Sequence, residues 1–246
     1  MIQNKEFFIK LNNVDLDIAN FNPEFRLINS KKKIKIHQKI LKNITLEIKN
    51  GEKIGIIGPN GAGKSTLLRL IAEIYKPTSG TYEKKGKCIG FFGNIFYDEY
   101  LLGIEFIKNS LMLFGHSKKQ IDREVNNIID FIDIGDYIYK TFHTYSEGMK
   151  ARVSLATVIF AKPSILLIDE GIGAGDRFFI EKTRKIIDKI LFETPILIMS
   201  SHDEDLLSKF CKRSILMNNG EIIKLGETAK ILDYYKSEKF KSQLSN

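Results

Sequence analysis

The sequence predicts an α/β domain built on a mostly parallel β-sheet, with an antiparallel β edge near the N-terminus and an inserted helical subdomain. Short apolar segments alternate with segments of helical spacing, an order that favours a parallel sheet. A stretch of about 40 residues from Tyr100 has helical spacing and no strand pattern, which predicts the helical subdomain over about residues 94–160. The length of 246 residues and the hydrophobic fraction of 43% suit one domain with a full core, covering residues 1–246.

The first strands are followed by a basic loop. Phe7–Leu11 and Val14–Ile18 have strand character, whereas residues 20–36 break the pattern with Pro23 and the lysine run Lys31–Lys33. The net charge is +8 and the pI about 9.2. Two interpretations of these lysines stay open: a solvated surface, or a surface that contacts a membrane or an acidic partner.

A strand, a glycine-rich turn and a helix follow. Ile44–Ile48 alternates cleanly, and Asn50-Gly51 predicts a hairpin turn from it into the apolar strand Lys53–Ile57. Residues 66–75 have the apolar spacing of a helix. The antiparallel edge is therefore expected to precede the parallel core.

The turn between this strand and helix fits the phosphate-loop pattern G-x-x-x-x-G-K-[ST] in full, which predicts a P-loop NTPase core. Backbone N–H groups and the helix N-terminus would surround the phosphates of ATP. Lys64 would lie against the β- and γ-phosphates, and the Ser65 hydroxyl would bind Mg²⁺. The predicted phosphate-binding residues are Gly58, Pro59, Asn60, Gly61, Ala62, Gly63, Lys64, Ser65 and Thr66.

The remaining elements alternate between helices and strands. We expect helices at Glu147–Phe160, Phe178–Leu191 and Asp203–Phe210, strands at Cys88–Phe92, Ile165–Ile168 and Ile196–Met199, and a hairpin over residues 214–224.

Two acidic residues and a histidine follow buried strands of this predicted sheet. Asp169 and Glu170 come directly after Ile165–Ile168, and His202 comes shortly after Ile196–Met199. Ligands bind at the carboxyl ends of such strands. We expect Asp169 to hold Mg²⁺, Glu170 to act as general base towards water, and His202 to hydrogen-bond the γ-phosphate.

A second anion site is predicted at the start of the helix Glu147–Phe160. Its residues are Tyr145, Ser146, Glu147, Gly148 and Met149. A serine hydroxyl and a glycine N–H at a helix N-terminus can bind phosphate. One ATP needs only one phosphate loop, so we expect this second site to serve the ATP of another copy.

At this point the chain resembles the ATPase subunits of ABC transporters. The phosphate loop, the serine-glycine signature, Asp169-Glu170, a D-loop-like segment Gly173-Ala174-Gly175-Asp176 and the switch His202 follow in family order. The resemblance implies ATP and Mg²⁺ as cofactors, a homodimer that encloses ATP, Asp176 in the D-loop, and an integral membrane permease as partner. It implies a peripheral location on the cytoplasmic face of the inner membrane, and the N-terminus shows no signal peptide.

The departures from the common family pattern narrow the resemblance. The signature reads Tyr-Ser-Glu-Gly-Met, and Leu102-Gly103-Ile104-Glu105 and Gly175-Asp176 accompany it. These features look like the subfamily that exports lipid-linked polysaccharides such as O-antigen, capsule or teichoic acid. The usual glutamine after the strand at Cys88–Phe92 is absent, with Asn94 as candidate replacement. An aromatic residue usually stacks on adenine in this family; Phe21 is the candidate and Phe25 the reserve.

Three other functions remain open. A drug or small-lipid exporter would share the architecture. A nucleic-acid-associated ABC ATPase would suit the basic charge, but such proteins usually carry two ATPase domains or a long coiled coil, so we expect no nucleic acid partner. A nucleotide-binding protein without turnover is disfavoured by the presence of both Glu170 and His202.

Overall fold

The computed structural model describes residues 6–21, 35–92, 100–170 and 177–237. Within them the chain forms nine strands and seven α-helices. The strands are β1 (Phe8–Phe21), β2 (Lys35–Lys49), β3 (Lys53–Ile57), β4 (Ser79–Lys85), β5 (Cys88–Phe91), β6 (Ile165–Asp169), β7 (Ile196–Ser200), β8 (Arg213–Asn218) and β9 (Glu221–Glu227). The helices are α1 (Lys64–Ile71), α2 (Gly103–Leu113), α3 (Lys118–Ile132), α4 (Glu147–Phe160), α5 (Arg177–Glu193), α6 (Glu204–Phe210) and α7 (Thr228–Lys236).

The larger sheet carries the elements that end at the predicted site. Its order is β5-β6-β7-β3-β8-β9. The first five strands are parallel, and β9 pairs with β8 as an antiparallel hairpin. Strands β6 and β7 are buried along their whole length, as expected for parallel strands that are covered on both faces. The predicted α/β class with a mostly parallel sheet is confirmed.

The predicted hairpin at Asn50-Gly51 is wrong. Strand β2 belongs to a separate three-stranded antiparallel sheet of order β2-β1-β4, and the turn leads from that sheet into the larger one. Strand β3 is flanked on both sides by the parallel strands β7 and β8, so it has no edge left for β2. The turn is instead held from outside, because the N–H of Gly51 donates to the carbonyl of Pro195 at 2.8 Å.

The first strand is longer than predicted. The two predicted segments form one strand, β1, with register shifts between Leu11 and Asp17. Asn13, which has a φ of 50°, interrupts the pattern there. Strand β1 continues to Phe21 and pairs with β2 from Lys35. Both ends of the predicted loop over residues 20–36 are therefore part of strands. Residues 22–34, with the lysine run, lie outside the described residues.

Strand β3 contributes to both halves of the core. Ile54 and Ile56 pack in the cluster between the two sheets, together with Leu67 of α1. Ile57 packs in the other cluster, which joins the opposite face of the large sheet to the helices. Alternation of side chains along a strand has this consequence when both faces are buried.

The helical region is organised around aromatic packing. Phe142 is fully buried, and its ring centroid lies 4.7 Å from that of Phe106 and 4.8 Å from that of Tyr145. Helix α4 begins and ends as predicted, whereas α1 ends at Ile71, earlier than predicted. Strand β4 and helix α7 were not predicted. In the described ranges, no helix has the length and apolar character needed to cross a bilayer.

Candidate functional site

The phosphate loop links the end of β3 to the start of α1. Gly58 has a φ of 154°, and a Cβ there would lie 2.3 Å from the carbonyl oxygen of Met217. Gly63 has a φ of 100° and precedes Lys64, the first residue of α1. The β8–β9 turn supports the loop, since the N–H of Gly220 donates to the carbonyl of Ala62 at 3.0 Å. The backbone of Met217 therefore approaches position 58 too closely for any residue with a side chain, and glycine is required there.

Lys64 is held inside this loop. Its side chain is 6% exposed, and its Nζ donates to the carbonyls of Gly58 at 2.8 Å and Pro59 at 3.1 Å. The same Nζ lies 3.8 Å from Oε1 of Glu170. A buried ammonium needs such partners, and phosphate oxygens could replace the carbonyls without moving the helix.

The acidic pair ends strand β6 and is fixed by Ser200 at the end of β7. Oδ1 of the buried Asp169 accepts a hydrogen bond from the Ser200 hydroxyl at 2.7 Å. The N–H of Glu170 donates to the Ser200 carbonyl at 3.1 Å, and Glu170 has a φ of 48°. One residue of β7 thus positions both acids.

Glu170 lies between Lys64 and His202. Its Oε1 is 3.1 Å from Nε2 of His202 and 3.8 Å from Nζ of Lys64. Glu170 and His202 are 44% and 60% exposed, so water and a ligand can reach them. The carboxyl ends of the neighbouring strands β6, β7 and β3 bring these residues together.

The residues predicted to bind Mg²⁺ have suitable chemistry. Ser65 is the second residue of α1, and Asp169 is a carboxylate at the end of the nearby strand β6. Mg²⁺ prefers oxygen ligands and usually takes one or two from protein, with phosphate and water oxygens completing its shell. A hydroxyl and a carboxylate therefore fit this ion.

The signature segment forms a capped helix start in a different part of the fold. Ser146 is the N-cap of α4, and its Oγ accepts a hydrogen bond from the N–H of Met149 at 3.2 Å. Glu147 pairs with Lys150 at 3.1 Å. Tyr145 is buried, and its hydroxyl donates to the Tyr137 carbonyl. Burial raises the pKa of Tyr145 to about 12.

In the described part of the chain, the signature is not bonded to the phosphate loop of the same chain. Among the described residues, no hydrogen bond or ion pair joins Ser146 or Gly148 to residues 58–66.

Some predicted residues lie outside the described part of the chain. These are the D-loop with Asp176, the glutamine replacement Asn94 and the reserve Phe25. Only the backbone of Phe21 is described, at the end of β1. Ser200 was not singled out from the sequence, although a polar residue that ends an apolar strand beside two acids was the available signal.

The sequence is similar to known proteins of one family. A family model described as ABC transporter matches residues 41–173. The O-antigen export system ATP-binding protein RfbE of Yersinia enterocolitica is 38% identical over 183 residues, which cover 74% of this chain and 77% of that protein. The teichoic acids export ATP-binding protein TagH of Shouchella clausii (strain KSM-K16) is 33% identical over 195 residues, which cover 79% of this chain and 54% of that protein. In three teichoic acids export proteins of this kind, the part aligned with this chain covers between 36% and 54% of the protein's own length.

Solved structures share the fold. The structure of an ATP-binding subunit of an ABC transporter superposes with a TM-score of 0.75 at 18% identity, covering 97% of this chain and all of that chain. A dimeric ATP-binding cassette in a post-hydrolysis state, bound to ADP and Pi, has a TM-score of 0.69 at 24% identity, with coverage of 89% and 98%.

Proposed function

The chain belongs to the ABC transporter family, and from this membership we propose that it is the ATP-hydrolysing subunit of an exporter of lipid-linked polysaccharide. Two copies would enclose two ATP molecules and drive a separate membrane permease. The observation that carries the proposal is that Glu170 lies 3.8 Å from Lys64 and 3.1 Å from His202 at one edge of the sheet.

The chemistry assigned to these residues follows from their types and distances. Lys64 would exchange the loop carbonyls for the β- and γ-phosphate oxygens of ATP. Glu170 would accept the proton of the attacking water, because its partly exposed carboxylate lies 3.8 Å from Lys64 and thus close to the γ-phosphate that Lys64 would bind. His202 would hydrogen-bond the γ-phosphate and hold Glu170 in place. Mg²⁺, held by Ser65 and Asp169, would neutralise phosphate charge.

The second copy would supply the other half of each site. The N-terminus of α4 presents backbone N–H groups and the positive end of a 14-residue helix. We assign Ser146 and Gly148 to the γ-phosphate of the partner's ATP, because no hydrogen bond or ion pair among the described residues joins them to the phosphate loop of their own chain. ATP then bridges two chains, and hydrolysis removes the bridge.

The cargo is proposed from two sources. The signature Tyr145–Met149 resembles that of polysaccharide exporters, and similar curated proteins are named for export of teichoic acids and O-antigen. A lipid-linked glycan and an integral membrane permease are the corresponding partners, and this chain would lie at the cytoplasmic face of the membrane. A drug or small-lipid exporter is the alternative.

Mixing two inactive variants tests the composite site. Lys64→Ala removes the phosphate contact, and Gly148→Asp places a carboxylate that is compatible with the helix start but repels a partner's triphosphate. Each variant alone should be inactive. In a 1:1 mixture half of the dimers would be mixed, and each would keep one intact site, so about a quarter of the wild-type rate should return.

The control for this experiment is Lys119→Asp, which places the same charge at the same position of α3 and should leave hydrolysis unchanged. If the mixture of Lys64→Ala and Gly148→Asp stays inactive while both variants are folded, the two-chain site is refuted.

Deletion of the gene for this chain in its native cell tests which cargo is exported. The proposed function predicts that lipid-linked glycan accumulates inside the cell and disappears from the surface. Normal surface glycan together with increased sensitivity to small lipophilic compounds would favour the alternative exporter.

A further inference from the structure

A cavity lies at the edge of the large sheet opposite to the phosphate loop. Its volume is about 480 Å³, within the range of small-molecule sites. The cavity lies beside the first residues of β3 and β8 and the last turns of α5 and α6. Strand β3 separates it from the phosphate loop by roughly 16 Å, at 3.3 Å per residue. The cavity is therefore distinct from the candidate ATP site.

One wall of the cavity is aromatic. Phe192, near the end of α5, is 50% exposed, whereas Phe210, the last residue of α6, is buried. The two ring centroids are 4.8 Å apart with an interplanar angle of 45°. The exposed face of Phe192 can stack on a planar ring, as aromatic side chains do with nucleobases.

The charges around the cavity do not balance. Arg213 pairs with Glu52, and Lys209 pairs with Asp188. Lys53 and Lys212 also line the cavity, and the described residues offer no carboxylate to either of them. Two lysine side chains without a carboxylate partner among the described residues thus line the same cavity as the aromatic pair.

Lys53 is in an unfavourable position without an anion. Among the described residues, the hydrogen-bond partner of its Nζ is the carbonyl of Thr194, at 3.5 Å. Burial, and to a lesser extent the charge of Lys212, lower the pKa of Lys53. A bound anion would act in the opposite direction, because a nearby negative charge favours the protonated form of the lysine.

We propose that this cavity binds a nucleoside monophosphate, with the base against Phe192 and the phosphate between Lys53 and Lys212. A phosphate monoester carries a charge of about −1.5 to −2 at pH 7, which matches two lysines better than a single carboxylate does. The cavity is large enough for a base, a sugar and one phosphate. A nucleoside monophosphate combines a planar ring with this charge.

The test measures binding of UMP, CMP, GMP and AMP by calorimetry to the full chain saturated with ADP, so that the phosphate loop is filled. At least one of the four should bind saturably. The nucleoside of the nucleotide that binds and inorganic phosphate, each lacking one half of the ligand, should bind more weakly than that nucleotide. Lys53→Met and Lys212→Met should each weaken binding roughly tenfold or more, the loss expected for one charge-assisted contact.

Two further variants separate the contributions. Phe192→Ala should weaken nucleotide binding but leave inorganic phosphate binding unchanged. Lys108→Met, which removes an exposed lysine of α2 outside the cavity, is the matched control and should change nothing. Lys212 is exposed, so its variant should fold even if Lys53→Met does not. Absence of saturable binding for all four nucleotides, or binding insensitive to Lys212→Met and Phe192→Ala, would overturn the proposal.

Discussion

The replacement Glu170→Gln gives the sharpest test of the assigned chemistry. The amide keeps the shape of the side chain but cannot accept a proton from water, so hydrolysis should fall about 10²- to 10⁴-fold. The structure also gives the effect on binding. At 3.8 Å from Lys64, the lost charge is worth about 1 kcal/mol at the dielectric constant of water, and more where the burial of Lys64 lowers the effective dielectric constant. Lys64 would then attract phosphate more strongly, by about fivefold or more.

Two assays separate these effects. Phosphate release measures hydrolysis, and equilibrium binding of ATP measures affinity. Size-exclusion chromatography with light scattering should find a dimer of the variant with ATP and Mg²⁺, since the bridging nucleotide persists. Glu83→Gln is the matched control, because Glu83 is an exposed glutamate of β4; it should keep both activity and affinity.

The reasoning would be refuted by either of two results. Hydrolysis by Glu170→Gln within about tenfold of the wild type would exclude Glu170 as general base. A monomeric variant in the presence of ATP and Mg²⁺ would exclude the ATP-bridged dimer.

Two further changes test the fold around the site. Gly58→Ala should lower the free energy of unfolding by about 1–3 kcal/mol, measured by denaturant titration, because its Cβ would meet the carbonyl of Met217 at a left-handed φ; ATP affinity should fall as well. Asp15→Asn should flatten the acid limb of thermal stability between about pH 4 and pH 2. Hydrogen bonds from the N–H of Asn43 and then from Lys39 and Ser79 lower the pKa of Asp15 from 3.8 to about 2, so its stabilisation is present above pH 4 and is lost as the pH falls through about 2.

The controls for these two changes lie within the same chain. Gly226→Ala introduces a methyl group at ordinary contact distance, 3.7 Å from Ile231, and should be nearly neutral; equal destabilisation by both alanines would contradict the steric explanation. For Asp15→Asn, the difference in Tm from the wild type should narrow as the pH falls below 4. A constant difference would show that the carboxylate is not the cause.

The sequence predicted those elements whose boundaries are set locally. Helix α4 has the same limits in prediction and structure because Ser146 caps its start and Pro163 follows its end. Strands β6 and β7 are continuous apolar runs, which only a doubly covered sheet accommodates. In these cases local preference and tertiary packing agree.

The pairing of strands that are distant in the sequence could not be predicted from local sequence patterns. Asn50-Gly51 is compatible with a hairpin and with a turn between two sheets, and only the occupation of both edges of β3 decides between them. Strand β4 was missed because Ser79–Lys85 is polar and mostly exposed, so it has no apolar alternation. Its place in the sheet comes from pairing with β1.

The candidate site shows the same division. Motif spacing identified Lys64, Glu170 and His202, since each occupies a fixed place after a strand. Their mutual distances depend on the strand order β6-β7-β3, which spacing alone does not contain. The double role of Ser200 is visible only when β6 and β7 are adjacent.

The division of β3 between two cores has a consequence for how the nucleotide is received. Ile54 and Ile56 anchor the strand on one side and Ile57 on the other, so the turn that follows is clamped between two incompressible layers. The loop therefore has little freedom to change its conformation when a ligand binds. Selectivity among phosphorylated molecules would then depend on how well each one fits a preorganised loop.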